Sequence, residues 1–491
     1  MNKTMRTVGT LLAFTLAGLA AADLHYAIEP DSVARQYRVS VRLDKAAEKE
    51  VFQIPAWCPG FYFVLNYQEK ISDVRAADAN GQPLKVERSG TREWTVQNPN
   101  SEPISFSYRV LADDPAPGFF GASIQGDKAF VNGPSTFVYS PTRMTETHWL
   151  TIRLPRGWEI ATAMDPAGDG RYKSPDYDEF IDHPIQMGRF ERRKFAAGGK
   201  PFESVFSTLR GDIQANLDFE TERFRRISEA GIKFWGDAPF PRYLYLVHLD
   251  PGAFSGGLEH RSSTVLNIWN TRSLNVDTLA AHEFFHTWNV KRLRPAVLGP
   301  FDYTKPVRTK NLWFSEGVTD YYAHRLVLWA GLMTPEQFLG NMAGQIATLQ
   351  NGRTRRTKTV EDASWEAWEN GGFGVGDLSY YNKGLVIGLL LDAALRASTD
   401  GEKSLDDLMR GMYAKYGLPK PGFGEDAIRA ELVLLGGEAF GPVYDRMVRS
   451  TAELPYELLG GIGLLPEGGG LVASPEATER QRELLAKFLS R

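Results

Sequence analysis

The chain has 491 residues, 43% of them hydrophobic and 24% charged, enough for two or three domains with cores of their own. A formal net charge of −4 excludes a nucleic-acid binder, which needs a basic surface to neutralise phosphates. Cys58 is the one cysteine, so no internal disulfide can form, and support for the fold must come from the core and a metal.

The chain opens like a secretory signal. Lys3 and Arg6 precede an uncharged, mostly apolar run from Val8 to Ala22, and Ala20-Ala21-Ala22 offers a small-residue cleavage site before Asp23. That run is short for a membrane span, which points to a periplasmic or secreted protein of a bacterium with no stable membrane insertion after cleavage. From Asp23 to about Ile185 the pattern is β-rich. Tyr37-Arg-Val39-Ser-Val41-Arg-Leu43 alternates apolar and polar residues, as do Trp94-Thr-Val96, Ile104-Ser-Phe106-Ser-Tyr108 and Trp149-Leu-Thr-Ile152. Asn80-Gly81, Pro59-Gly60 and Pro155-Arg-Gly157 supply turns between them. These features predict an antiparallel β domain, saddle or sandwich, over 23–190.

After about residue 190 helices and apolar strands alternate. A helix is predicted from about Asp218 to Ala230, then strands over Tyr243–Leu249 and Thr264–Ile268. The next helix carries His282-Glu-Phe-Phe-His286, with Asp277 as its predicted N-cap and Pro295 blocking its continuation. Helices follow over Glu316–Leu332, Pro335–Leu349 and Gly384–Ser398, with further helical segments to about Leu459. Gly460, Gly461 and Gly468 to Gly470 mark a flexible stretch. Pro475 opens a last amphipathic helix whose Leu484, Leu485, Phe488 and Leu489 form a stripe suited to docking on the parent core.

Four residues apart on a helix, His282 and His286 project their imidazoles from one face. With Glu316 they make the two-histidine, one-carboxylate set of a catalytic zinc, one ion per chain, with a position left for water. Glu283 stands beside them as a general base for that water rather than as a ligand. Asp320, one helical turn after Glu316, can accept the free N–H of a zinc-bound histidine, or be a solvated helix carboxylate. His183, His248 and His324 lack metal spacing and read as structural. Trp288, Trp365 and Trp368 read as core or cleft walls.

The order His282-Glu-Phe-Phe-His286-Thr-Trp288-Asn-Val-Lys-Arg, then Trp313-Phe-Ser-Glu316-Gly-Val-Thr-Asp320-Tyr-Tyr, resembles the glycyl aminopeptidase family of zinc peptidases. The core of that family is similar to that of aminopeptidase N and leukotriene-A4 hydrolase. Pro55-Ala-Trp57-Cys-Pro59-Gly60-Phe-Tyr62 resembles the same family's N-terminal signature. The resemblance implies an α+β multidomain chain. The β domain is followed by a thermolysin-like α/β catalytic domain over 191–395, a C-terminal helical region over 396–460, and a Gly-rich linker with a terminal helix over 461–491. Relatives commonly carry a PDZ-like domain, for which the residues after Leu459 are too few. Gly256-Gly257-Leu258-Glu259-His260 resembles the segment in which a glutamate holds the substrate's α-ammonium and adjacent backbone binds the peptide; His260 departs from the usual Asn. Tyr380-Tyr381-Asn382-Lys383-Gly384 resembles the segment whose tyrosine, matched by Tyr381, hydrogen-bonds the tetrahedral oxyanion.

These features lead to the expectation of a zinc aminopeptidase acting on peptides with a small first residue, glycine or alanine by resemblance. An endopeptidase with the same ligands, or an inactive peptide-binding protein, is the alternative.

Overall fold

The computed structural model describes residues 23–114, 119–250 and 254–490, so the leader-like segment lies outside the described residues. The N-terminal part is built on an eight-stranded sheet. Its strands run in the order Asp165–Pro166, Arg171–Ser174, His148–Ile152, Leu24–Asp31, Gln36–Leu43, Ile104–Leu111, Ile71–Asp78 and Pro83–Leu84. Pairing is antiparallel except between Leu24–Asp31 and His148–Ile152. Strict alternation buries Tyr37, Val39, Val41 and Leu43 on one face. A three-stranded sheet over Lys49–Gln53, Glu93–Gln97 and Val86–Gly90 joins the same core, with Phe52 stacked on Phe106 at 4.2 Å.

A second core begins with a five-stranded mixed sheet. Its order is Glu191–Ala197, Lys200–Ser207, Tyr243–His248, Ser263–Asn267 and Gly256–Glu259. The three inner strands are parallel, and Tyr243–His248 is buried along its whole length, which explains a continuous apolar run rather than an alternating one. The last strand is antiparallel to its neighbour and leaves one edge unpaired within the sheet.

Helices cover this sheet. Leu217–Trp235 is longer than its sequence pattern predicts, because it stops only where Gly236 takes a left-handed φ of +79°. The motif helix spans Asp277–Phe285. Asp277 is its first helical residue rather than its N-cap, and its carboxylate is paired with Arg223 instead of capping. The predicted Glu316 helix starts earlier and differently, as a π-helical turn over Trp313–Gly317 that runs into Val318–Trp329. Pro335–Asn351 opens on a Thr334–Gln337 capping box, and Tyr380–Ser398 runs buried through the helical layer.

Two C-terminal expectations change. The glycine-rich stretch forms a hairpin, Leu464–Glu467 with Gly470–Ala473, turned by Gly468 and Gly469 at φ +59° and +81° as a tight two-residue loop requires. The final helix opens at Thr478, which makes a capping box with Gln481, not at Pro475. Its Leu484, Leu485 and Phe488 are buried, and the Phe488 carbonyl accepts from the buried Arg325 guanidinium. Among the described residues no helix is long and apolar enough to cross a membrane.

Candidate active site

His282 lies in the last turn of the motif helix and His286 closes it, so both rings leave the same face. The π-helical turn brings Glu316 to them; one extra residue per turn re-aims a side chain, which is why such turns recur at functional sites. The three ligand atoms converge. Glu316 Oε2 is 3.0 Å from His286 Nε2 and 3.5 Å from His282 Nε2, and the two Nε2 atoms are 2.9 Å apart.

The outer nitrogens decide what this cluster can be. His282 Nδ1 donates to Asp320 Oδ1 at 2.8 Å, and His286 Nδ1 donates to the Asn289 carbonyl at 2.7 Å. Each neutral ring therefore carries its proton at Nδ1 and turns the lone pair of Nε2 inward. A cation held between two such imidazole lone pairs and the carboxylate oxygen would remove the repulsion among them. Ligands about 2.1 Å from a tetrahedral zinc stand roughly 3.4 Å apart. The donor set and its spacing fit zinc.

Glu283 lies on the same helix, buried. Burial pushes its carboxyl well above the ordinary range, and the nearby charges of Glu259 and Glu316 add to the rise. Gly257 on the edge strand lies directly against it: a Cβ there would overlap the Glu283 carboxyl.

Glu259 ends the edge strand. It is buried, and its Oε1 has no hydrogen-bond partner among the described residues. Its carboxylate, that of Glu283 and the imidazole of His286 each offer an atom within 4.8 Å of the others. The N-terminal signature explains itself here. Gly60, at φ +95°, packs on Glu259 so closely that a Cβ would sit 2.6 Å from Oε2. His260 turns away, its Nδ1 3.1 Å from Asp182, which also pairs with Lys291 at 2.8 Å.

The Tyr380 and Tyr381 rings stack with centroids 4.7 Å apart at the head of their helix, but their further partners differ. The Tyr380 hydroxyl donates to the Gly372 carbonyl, whereas the Tyr381 ring stacks on His282 with centroids 6.1 Å apart. Burial, then the charge of Glu316, pushes the Tyr381 phenol well above its ordinary range, so it keeps its proton as a donor.

One site residue had no role in the sequence reading. The Tyr62 hydroxyl donates to Glu316 Oε1 at 3.4 Å, so the N-terminal part of the chain reaches a metal-ligand candidate. Its signal was the signature motif in which it stands. Trp368 supports the Tyr62 ring at 6.0 Å, while Trp288 is buried and donates to Asp237 and Trp365 is largely exposed. The spare histidines stay apart from the cluster: His248 faces Gln186, His324 bonds the Asp320 carbonyl, and His183 is buried elsewhere.

Comparison with known proteins bears on the family and the fold. The model of the peptidase M61 N-terminal domain matches residues 25–189, and that of the M61 glycyl aminopeptidase matches residues 275–387. A solved aminopeptidase N family protein from Idiomarina loihiensis superposes with a TM-score of 0.83 at 25% identity, covering 90% of this chain and 78% of its own. An M1 zinc metallopeptidase from Deinococcus radiodurans shares the fold at a TM-score of 0.56 and 14% identity, covering 88% of this chain and 94% of its own. A variant of the Deinococcus enzyme bound to a Tyr-Ser-Ala substrate gives 0.54 at 14% identity, over the same shares of the two chains. No curated protein matches the sequence. With both family models matched in order along more than half its length, the chain belongs to the M61 glycyl aminopeptidase family and is a peptidase.

Proposed function

We propose that the protein is an exported aminopeptidase holding one zinc ion per chain, which removes a small first residue, glycine or alanine, from peptides. The observation that carries this reading is the buried, unpartnered Glu259 Oε1 beside the ligand cluster. A buried carboxylate oxygen without a partner is costly, and a substrate α-ammonium satisfies it. Gly60 packs directly on Glu259, and an endopeptidase, cutting within a chain, would bring no ammonium to that carboxylate.

His282, His286 and Glu316 would hold the ion, with Asp320 and the Asn289 carbonyl fixing the two imidazoles. Zinc bound there supplies Lewis acidity, which lowers the pKa of water to about 7 and polarises a carbonyl. Glu283, its affinity for a proton raised by burial, takes the water proton as the peptide carbonyl is attacked and hands it to the leaving amine. Glu259 holds the ammonium, the backbone of Gly256 and Gly257 pairs with the peptide as an added strand, and the Tyr381 hydroxyl donates to the carbonyl oxygen as charge develops. The preference for glycine or alanine rests on family resemblance. Export rests on Lys3, Arg6 and the run from Val8 to Ala22.

The test is a panel of glycyl, alanyl, leucyl and phenylalanyl p-nitroanilides with zinc content measured on the same sample. One zinc per chain and turnover of the glycyl or alanyl compounds are expected. Glu283→Gln should lose turnover while keeping the metal. A zinc-loaded protein that cleaves none of the panel contradicts the reading.

A further inference from the structure

The cleft beyond Gly256 is bordered by aromatic rings that the chemistry above does not use. Phe254 folds back over the edge strand, so that a methyl group on Gly256 would lie 2.9 Å from its ring. Phe373 meets it with centroids 6.4 Å apart, and lies 6.2 Å from the ring of Tyr381, which in turn stacks on His282. Phe120 and Phe61 back the pair: Phe120 is 5.7 Å from Phe254, Phe61 is 6.1 Å from Phe373, and the two stack at 4.0 Å. Despite this packing, Phe254 is 37% exposed and Phe373 44%. An apolar path thus runs from a metal-ligand imidazole to solvent, and its outer rings have surface left to cover.

The direction of the bound peptide follows from two contacts. Glu259 marks the ammonium, and Glu283, the base beside the bond to be broken, lies against Gly257, two residues earlier on the strand. A peptide anchored at Glu259 must therefore run back along the strand, antiparallel to it, toward Gly256 and Phe254. Phe254 and Phe373 stand on the departing side of the scissile bond.

We propose that Phe254 and Phe373 form a subsite for the side chain that follows the scissile bond, selecting peptides in which a small first residue is followed by an aromatic or large aliphatic one. The proposal rests on the aminopeptidase reading and adds what that reading lacks, the chemistry of the leaving half. An incoming ring buries apolar surface against two phenyl faces without displacing any buried polar group.

Rates on Ala-Phe-amide, Ala-Gly-amide and Phe-Gly-amide, measured as kcat/KM with zinc-loaded protein, test it. The wild type should favour Ala-Phe-amide over Ala-Gly-amide by about tenfold or more. Phe373→Ala and Phe254→Ala should each bring that ratio down to about threefold or less, and Phe373→Leu should retain most of it. The ratio is internal to each variant, so a partly folded preparation does not mimic the result. Equal rates on Ala-Phe-amide and Ala-Gly-amide in the wild type overturn the subsite, as does a ratio unmoved in both alanine variants. Variants that alter Phe-Gly-amide against Ala-Gly-amide instead assign the rings to the first residue and overturn it too. If none of the three amides is cleaved, the aminopeptidase reading itself falls and takes the subsite with it.

Discussion

Gly257 has no side chain because Glu283 fills the space one would need. Gly257→Ala should displace the base while leaving the two histidines and Glu316 in place. The expected outcome is a loss of about 10²-fold or more in kcat with zinc content unchanged, read by steady-state kinetics and metal analysis. Tyr381 presents a different case. Its phenol stays protonated because burial and Glu316 oppose the phenolate, so it acts as a donor over the whole neutral range. Tyr381→Phe removes only that hydroxyl, and kcat should fall by about 10² to 10³ with a much smaller change in KM. A rise in KM with kcat unchanged would mean that the hydroxyl binds substrate rather than stabilising charge.

At the level of elements, Glu316 depends on how closely two segments approach. A Cβ on Gly317 would overlap Gly384, and one on Gly384 would overlap the Trp313 carbonyl. The glycine that ends the Tyr381-Asn-Lys-Gly384 segment allows this crossing. Gly384→Ala should push the Tyr381 helix away from the Glu316 turn. Weaker zinc binding and a lower thermal midpoint are expected together, checked by chelator competition and a melting curve; either alone would contradict the coupling. The same elements show what a sequence discloses. His282, Glu283 and His286 were legible because helical periodicity alone puts the two imidazoles on one face, and Glu316 because its neighbours form a motif. The π-helical turn was not legible, since an added residue in a turn leaves the apolar pattern unbroken. Asp277 read as a cap because its side chain suits one; a long-range partner, Arg223, takes the carboxylate instead. Gly468 and Gly469 read as flexible, although two adjacent positive φ angles are also what a tight hairpin demands.

Across the whole molecule, the N-terminal part is a component of the site. Gly60 seats Glu259 and Tyr62 reaches Glu316, contacts spanning about 200 and 254 residues that no local pattern could disclose. The same size of core sets a pH response. Burial holds His148 at about 4 and His183 at about 3, against about 6.5 for an exposed imidazole. Below pH 6.5 the unfolded chain takes up protons that these folded residues refuse. Stability therefore falls as pH drops from 6.5, by about 1.4 kcal/mol per pH unit for each histidine until its folded value is reached. Denaturant midpoints at pH 7 and pH 5 should show that loss, and His148→Gln should reduce it by one histidine's share; an identical slope in the variant would contradict the assignment. We propose that a three-ligand zinc site lies one carboxylate away from a seat for a free amine, and zinc-loaded protein offered a peptide and its N-acetyl twin checks both parts together. Release of a single first residue from the free amine alone is the expected result, and equal cleavage of both would contradict it.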